Sequence, residues 1–423
     1  MRNLSVIILI LLLHSFVIIN VSGQEPQDPY TAASLAYRDK NYAKFLESML
    51  IVTKEAQENV GLLEFLAKAY ALNGKPEKAF EVLRAIAKFG AIANLEHSDF
   101  SVLKDNPALP AIQAAFEKNR TVINKSTTGF TLSEKDLVPE GVAFDQSTGN
   151  FYIGSIYRRK IVRISPAGRK EDFTVSQQDG MMNPLGIKVD TTRRILWVCI
   201  SSDQRDKEEG SAAIFKYSLK TGKLIKKYEI SNKPQAHLFN DIDINNNGDV
   251  YFTDSLAGAV HKIAVNTDTR EEFIAAGTFI YPNGIALAGR YLYVADERGI
   301  HRVEIASRKI QVLTHTDNIS LAGMDGLYWY NNSLIGVQNG FNPERIVQIK
   351  LNKAGDQAVS LTTLEALNPL FIIPTTGALA SDGFYYIANS QLRAINDKGE
   401  IPSPEKLSEI VILKIPKATY SIP

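Results

Sequence analysis

The chain of 423 residues holds a single cysteine, Cys199. No disulfide can form within it, so its stability must come from core packing. Cys199 sits in the apolar run ILWVCIS with no histidine pattern beside it, which suits a small buried hydrophobe better than a nucleophile. An excess of charge is missing too. The 47 Lys and Arg residues nearly balance 46 Asp and Glu, giving a formal net charge of +1. The longest basic run, Arg158-Arg159-Lys160, reads as a solvated strand edge. Nothing here marks a nucleic-acid or acidic-membrane partner. The chain also lacks the G-x-S-x-G elbow, H-E-x-x-H, the P-loop and G-x-G-x-x-G, which removes the hydrolase and nucleotide-binding classes that those motifs define.

What is present begins with a leader. Arg2, the apolar run from Val6 to Ile19 and the small residues Val21-Ser22-Gly23 predict a signal peptide over residues 1–23. Cleavage near Gly23-Gln24 would give an exported protein, periplasmic or secreted, with no integral membrane segment left; retention as an N-terminal anchor is the alternative. Residues 24–120 follow a helical rhythm in LLEFLAKAYALNG and PEKAFEVLRAIAKFG, broken by Asn73-Gly74-Lys75-Pro76. Ala36 and Phe45 recur as Ala69 and Phe80, at offsets of 33 and 35 residues. That is close to the tetratricopeptide period of about 34. A small tetratricopeptide-like domain is therefore expected, either as a cap on the next domain or as a surface for a protein partner. The segment 99–119 should add one or two closing helices, and 120–130 reads as a polar linker.

Over residues 131–417 one phrase recurs six times: a turn, a short apolar run, a second turn and an aromatic-rich strand. The copies start at Glu140, Pro184, Asn240, Pro282, Met324 and Thr375, forty-odd to fifty-odd residues apart. That period with all-strand content predicts a six-bladed β-propeller. The fold class is thus mainly β, a six-bladed propeller preceded by a small α-helical domain. The last apolar run, Glu409 to Lys414, could close the ring.

In a propeller the first strand of each blade lines the axis, so equivalent residues converge there. The residues just before the turn glycine, or before Asp241, are Glu140, Leu185, Asn240, Asn283, Asp325 and Thr376. Asparagine and aspartate also favour tight turns, but four oxygen donors at one register point to a hard-cation site. His237, three residues before Asn240, could face the channel mouth as a proton shuttle. Asp243 to Gly248 imitates the start of an EF-hand loop, yet its flanks are strand-like and its Asn-Gly reads as a hairpin turn.

The Glu140, Asn240, Asn283, Asp325 set resembles the senescence-marker-protein/gluconolactonase (regucalcin-like) family. The NDIDI and NGIAL contexts are similar to paraoxonases as well. The resemblance implies one divalent cation on the axis, most simply Ca²⁺, with Zn²⁺, Mn²⁺ and Mg²⁺ as competitors, and hydrolysis of small-molecule lactones or esters. It implies Glu140, Asn240, Asn283 and Asp325 as ligands and Asp325 as the general base. Asp241 would stand behind them. Leu238 replaces a sugar-gripping arginine of gluconolactonases and Leu185 a histidine of paraoxonases, which points to an apolar-lined pocket. Two rivals follow from the same fold: a non-catalytic binding module with a structural metal, and a strictosidine-synthase-like propeller, which needs a channel glutamate and no metal.

Overall fold

The computed structural model describes residues 29–316, 318–396 and 398–420. The expected signal peptide lies outside the described residues. Five α-helices come first: α1 (Pro29–Arg38), α2 (Tyr42–Glu55), α3 (Val60–Leu72), α4 (Pro76–Lys88) and α5 (Leu109–Asn119). Local chemistry sets their starts. Asn41 accepts the Lys44 N–H and Asn59 accepts the Leu62 N–H, each capping donors that a helix leaves unpaired. Pro76 opens α4, where its missing N–H costs nothing. Apolar faces then pair: Ala33 and Ala36 of α1 meet Phe45, Met49 and Val52 of α2, and these reach Phe65 and Ala69 of α3. No helix among the described residues is long and apolar enough to cross a membrane.

The helices are docked on the β-domain. Its Phe341 is buried in the helical core with Phe80, Leu83 and Phe116. The Ile92 N–H donates to the Asn342 carbonyl at 2.7 Å. Ser320 Oγ donates to the Glu58 carbonyl at 2.7 Å. The helical region is thus packed on the propeller as a cap.

Six antiparallel sheets form the rest. Blades 1 to 4 span 139–172, 183–230, 239–274 and 285–312; blade 5 spans 327–366 with the short strand Thr314–His315 added in parallel. The first strands of neighbouring blades pack side by side, so they line the axis. Between blades lie apolar layers such as Phe239, Phe252 and Trp197, or Phe384, Tyr386 and Val337. Strands buried on both faces read as near-continuous apolar runs, as in ILWVCIS, where Cys199 is fully buried. The EF-hand look-alike is a hairpin turn: the Gly248 N–H returns to the Asn245 carbonyl at 3.0 Å.

Blade 6 joins both ends of the propeller. Its strands Gly377–Leu379, Gly383–Ile387 and Ile410–Pro416 are completed on the outside by Thr127–Leu132. The expected polar linker 120–130 therefore contributes part of a strand. Its residues face solvent along much of their length, so an outer strand has the composition of a linker. Glu365, buried in blade 5, pins this segment. One of its carboxylate oxygens accepts the N–H groups of Lys125 (2.7 Å) and Ser126 (2.9 Å) and the Ser126 hydroxyl (2.9 Å). Hydrogen bonds to a buried charge contribute more than neutral ones. Glu365→Ala is expected to cost roughly 3 kcal/mol of stability, read as a lower urea midpoint. An unchanged midpoint would show that the ring closes without this clasp.

Candidate metal centre

The first strand of each blade carries an extra residue at the same place. In blades 1 to 3 the register slips across Glu140-Gly141, Leu185-Gly186 and Asn240-Asp241. In blade 4 both Asn283 and Gly284 bond to Ala295, and in blade 5 both Asp325 and Gly326 bond to Val337. Two residues opposing one is a β-bulge, which bends the strand and re-aims a side chain. In blade 6 the pair opposite Ile387 is Thr375-Thr376. The equivalent of Asp325 is therefore Thr375, not Thr376 as the glycine register suggests. Both threonine hydroxyls donate to the Glu140 carbonyl, at 3.0 and 2.5 Å.

The glycines after these residues serve the neighbouring blade. None of Gly141, Gly186 and Gly284 has the positive φ that favours glycine in turns. Instead, a Cβ on Gly141 would lie 1.9 Å from the Leu185 carbonyl oxygen. On Gly186 it would lie 2.4 Å from that of Asn240, and on Gly284 2.4 Å from that of Asp325. Blades 1, 2 and 4 thus press bare backbone against the carbonyl of the next leading residue.

Glu140, Asn240, Asn283 and Asp325 all line one cavity of about 490 Å³, as do Leu185 and Leu238. That volume suits a small-molecule site. Glu140 Oε2, Asn283 Oδ1 and Asp325 Oδ1 are buried and lack hydrogen-bond partners. Such orphaned acceptors are costly unless something else satisfies them. Their companion atoms are fixed. Asn240 Nδ2 donates to Ser255 Oγ at 3.1 Å, which turns its amide oxygen the other way. Asn339 Nδ2 donates to Asp325 Oδ2 at 2.5 Å and to the Pro374 carbonyl at 3.0 Å. Burial, with the Asp325 and Asp241 charges, pushes the Glu140 carboxyl well up. Burial also raises Asp325, against hydrogen bonds from Asn339 and Asn283. Two buried acids, neither bonded to an arginine or lysine, and two amide oxygens fit a divalent cation with oxygen preference.

The other expected residues fall elsewhere. The Asp241 carboxylate makes no hydrogen bond to the side chains of the four; its N–H donates to Thr253 Oγ1 at 3.1 Å. Its carboxylate accepts the Ile242 N–H at 2.9 Å and the Ile285 N–H at 3.4 Å, tying blade 3 to blade 4. It faces a smaller space farther along the channel, and burial pushes it up to about 7. His237 stands outside the cavity lining. Its Nδ1 lies 2.5 Å from Asp254 Oδ2. With His261 these form the one group of His, Cys, Asp or Glu among the described residues with metal-ligand spacing. Arg270 lies 3.1 Å from His261 Nδ1. Arginine only donates, so His261 Nε2 carries the proton that faces Asp254. Asp254 also accepts the Leu238 and Ala257 N–H groups, so this cluster is satisfied as it stands and anchors the loop into blade 3.

Sequence reasoning missed the residues that hold the ligands. Ser255 and Asn339 both stand two places after the residue opposite the bulge (Thr253 and Val337), at the end of the second strand. Aligning FTDS with GVQN and VADE by bulge partner rather than by glycine would have found them, together with Glu297 in blade 4. Arg38 and Asn59 of the helical region also line the cavity; no local pattern marks them.

No protein-family model matches this sequence, and no curated protein is significantly similar. Similar solved structures exist. A gluconolactonase from Xanthomonas campestris shares 12% identity with a TM-score of 0.47, over 69% of this chain and 90% of its own. A calcium-binding protein, regucalcin, from Agrobacterium tumefaciens shares 15% at 0.47, over 68% and 94%. A virginiamycin B lyase from Staphylococcus aureus shares 17% at 0.45, over 67% and 97%. Identities this low assign neither activity nor ligand to this chain.

Two outcomes are expected. Gly186→Ala should fold but push Asn240 outward, weakening Ca²⁺ binding about tenfold or more; calorimetric titration against the parent checks this. The second concerns the metal-free protein. Buried carboxyls with raised pKa hold protons that the unfolded chain has released, from pH 3.8 up to about 7 for Asp241. The folded state then binds more protons than the unfolded one, so stability falls as pH rises through that window. In chelator, the urea midpoint should drop between about pH 5 and about pH 7.5, and added Ca²⁺ should reverse the drop. A rise instead would contradict the burial argument.

Proposed function

We propose that the protein is a divalent-metal-dependent hydrolase of lactones or related esters. The observation that carries this reading is the set of three buried, unpartnered oxygen acceptors, on Glu140, Asn283 and Asp325, at one cavity of about 490 Å³. Glu140, Asn240, Asn283 and Asp325 would hold the cation, with oxygen donors favouring Ca²⁺. Once bound, it supplies Lewis-acid polarisation of a carbonyl.

The chain's own residues do the rest. Asn339 fixes Asp325 Oδ2, leaving Oδ1 to orient the attacking water and accept its proton. Two carboxylates neutralise a divalent charge, while the two neutral amides keep the ring from becoming anionic. Leu185, Leu238, Met324 and Ile373 give the cavity an apolar wall, suited to the hydrocarbon part of a lactone. The motif resemblance of the four ligands supports the same class. We further read the hairpins α1–α2 and α3–α4 as tetratricopeptide-like, from the offsets of Ala36 and Phe45, and the protein as exported, from residues 1–23.

The test is hydrolysis of a panel of lactones and 4-nitrophenyl acetate before and after chelation. Turnover should vanish with chelator and return with Ca²⁺. Asp325→Ala should lower kcat by about 100-fold or more. Activity indifferent to chelator would overturn the metal reading. Absence of turnover alongside a Ca²⁺-dependent rise in Tm would make the centre structural.

A further inference from the structure

One half-buried carboxyl at the cavity has no part in the chemistry above. Glu297 lines the same space as Glu140 and Asp325, in the turn that ends the second strand of blade 4. It stands where blade 3 has Ser255 and blade 5 has Asn339, the two side chains that hold ligands Asn240 and Asp325. Glu297 bonds to no ligand. The Asn59 amide nitrogen donates to its carboxylate Oε2, and to its backbone carbonyl at 3.3 Å. The Asn59 amide oxygen is already committed to the Leu62 N–H at 3.1 Å as the cap of α3, so the amide has one orientation. The helical region thereby reaches the cavity and holds one acid in place.

The surroundings of Glu297 leave its proton on. No cation among the described residues pairs with it. Neighbouring Asp296 is occupied by Arg298 and by His301 at 2.8 Å. Tyr281 lines the same cavity, its phenol raised chiefly by burial. Burial and the Asp296 charge push Glu297 up to about 8, against the Asn59 hydrogen bond. A carboxyl that keeps its proton at neutral pH is a donor.

We infer that Glu297, oriented by Asn59 of the helical region, is the catalytic acid that protonates the leaving alkoxide. The inference rests on the hydrolase reading. Water's oxygen bonds to the carbonyl carbon and its proton passes to Asp325. The bond from that carbon to the alkoxy oxygen breaks, and that oxygen takes the Glu297 proton. The proton on Asp325 then returns to Glu297 through solvent, and the product is the hydroxy acid. Asn59 is a positioning residue.

Leaving-group dependence in the Ca²⁺-loaded full chain tests this. An aliphatic lactone expels an alkoxide that needs a proton; 4-nitrophenyl acetate expels a phenolate that does not. Glu297→Gln should lower kcat on the lactone about 100-fold or more while lowering it far less on the aryl ester, with Ca²⁺ affinity kept. Asn59→Leu should shift the lactone-to-ester ratio in the same direction by about tenfold, and it keeps the test alive if Glu297→Gln does not fold. Equal loss on both substrates, or weakened Ca²⁺ binding in Glu297→Gln, would overturn the acid role and leave the hydrolase reading intact. No turnover by the parent protein on either substrate would overturn both.

Discussion

The whole centre depends on how closely the six first strands approach one another at the axis. Bare backbone at Gly141, Gly186 and Gly284 lies against the carbonyl groups of Leu185, Asn240 and Asp325, with no room for even a methyl group. That approach fixes the ring's diameter at the ligand level, and the bulges at the same places turn the side chains inward. Hydroxyls complete the seam. Thr253 Oγ1 donates to the Asn283 carbonyl at 2.8 Å, Ser201 Oγ to that of Phe239 at 3.1 Å, and Thr375 to that of Glu140. Each blade sets the position of its neighbour's ligand before any cation is considered.

A second constraint arises from the groups this geometry buries. Glu140 and Asp325 are brought together with no basic partner bonded to either, and Asp241 adds its charge from farther along the axis. Elsewhere the protein pairs its buried aspartates fully: Asp254 with His237 and His261, Asp296 with Arg298 and His301, Asp203 with Arg159 and Arg205. Those pairings stand at the ends of second strands and hold loops. The uncompensated acids Glu140 and Asp325 stand at first strands, and Glu297, also without a cation, follows a second strand; all three line the open cavity.

The six blades were legible because each repeats a turn, glycine-marked in five of the six, and an aromatic strand, and the four oxygen donors because they share that turn. The match ended where contacts between segments took over. Thr376 was aligned by its glycine, but the bulge counts hydrogen bonds and selects Thr375. His237 is near Asn240 in sequence, yet Asp254, on the paired strand, takes its ring. Residues 127–130 looked like the end of a linker because an outer strand exposes polar side chains. Asn59 carries no functional signal at all; as a helix cap it is ordinary, and only docking on blade 4 brings its amide to Glu297.

The sixth blade assigns a timetable to the molecule. Thr127–Leu132 precedes every other propeller strand and its partner Ile410–Pro416 follows them all, so the pairing spans nearly the whole propeller. Contacts this distant form late and set the pace of folding. Until then the early strand is an open edge, while the clasp on Glu365 becomes available one blade sooner. A chain cut short before Ile410 would carry five finished blades and no way to seal them. Completion of the ring therefore certifies that the chain has been made through Pro416, and any system that removes exposed strand edges can distinguish sealed rings from open ones.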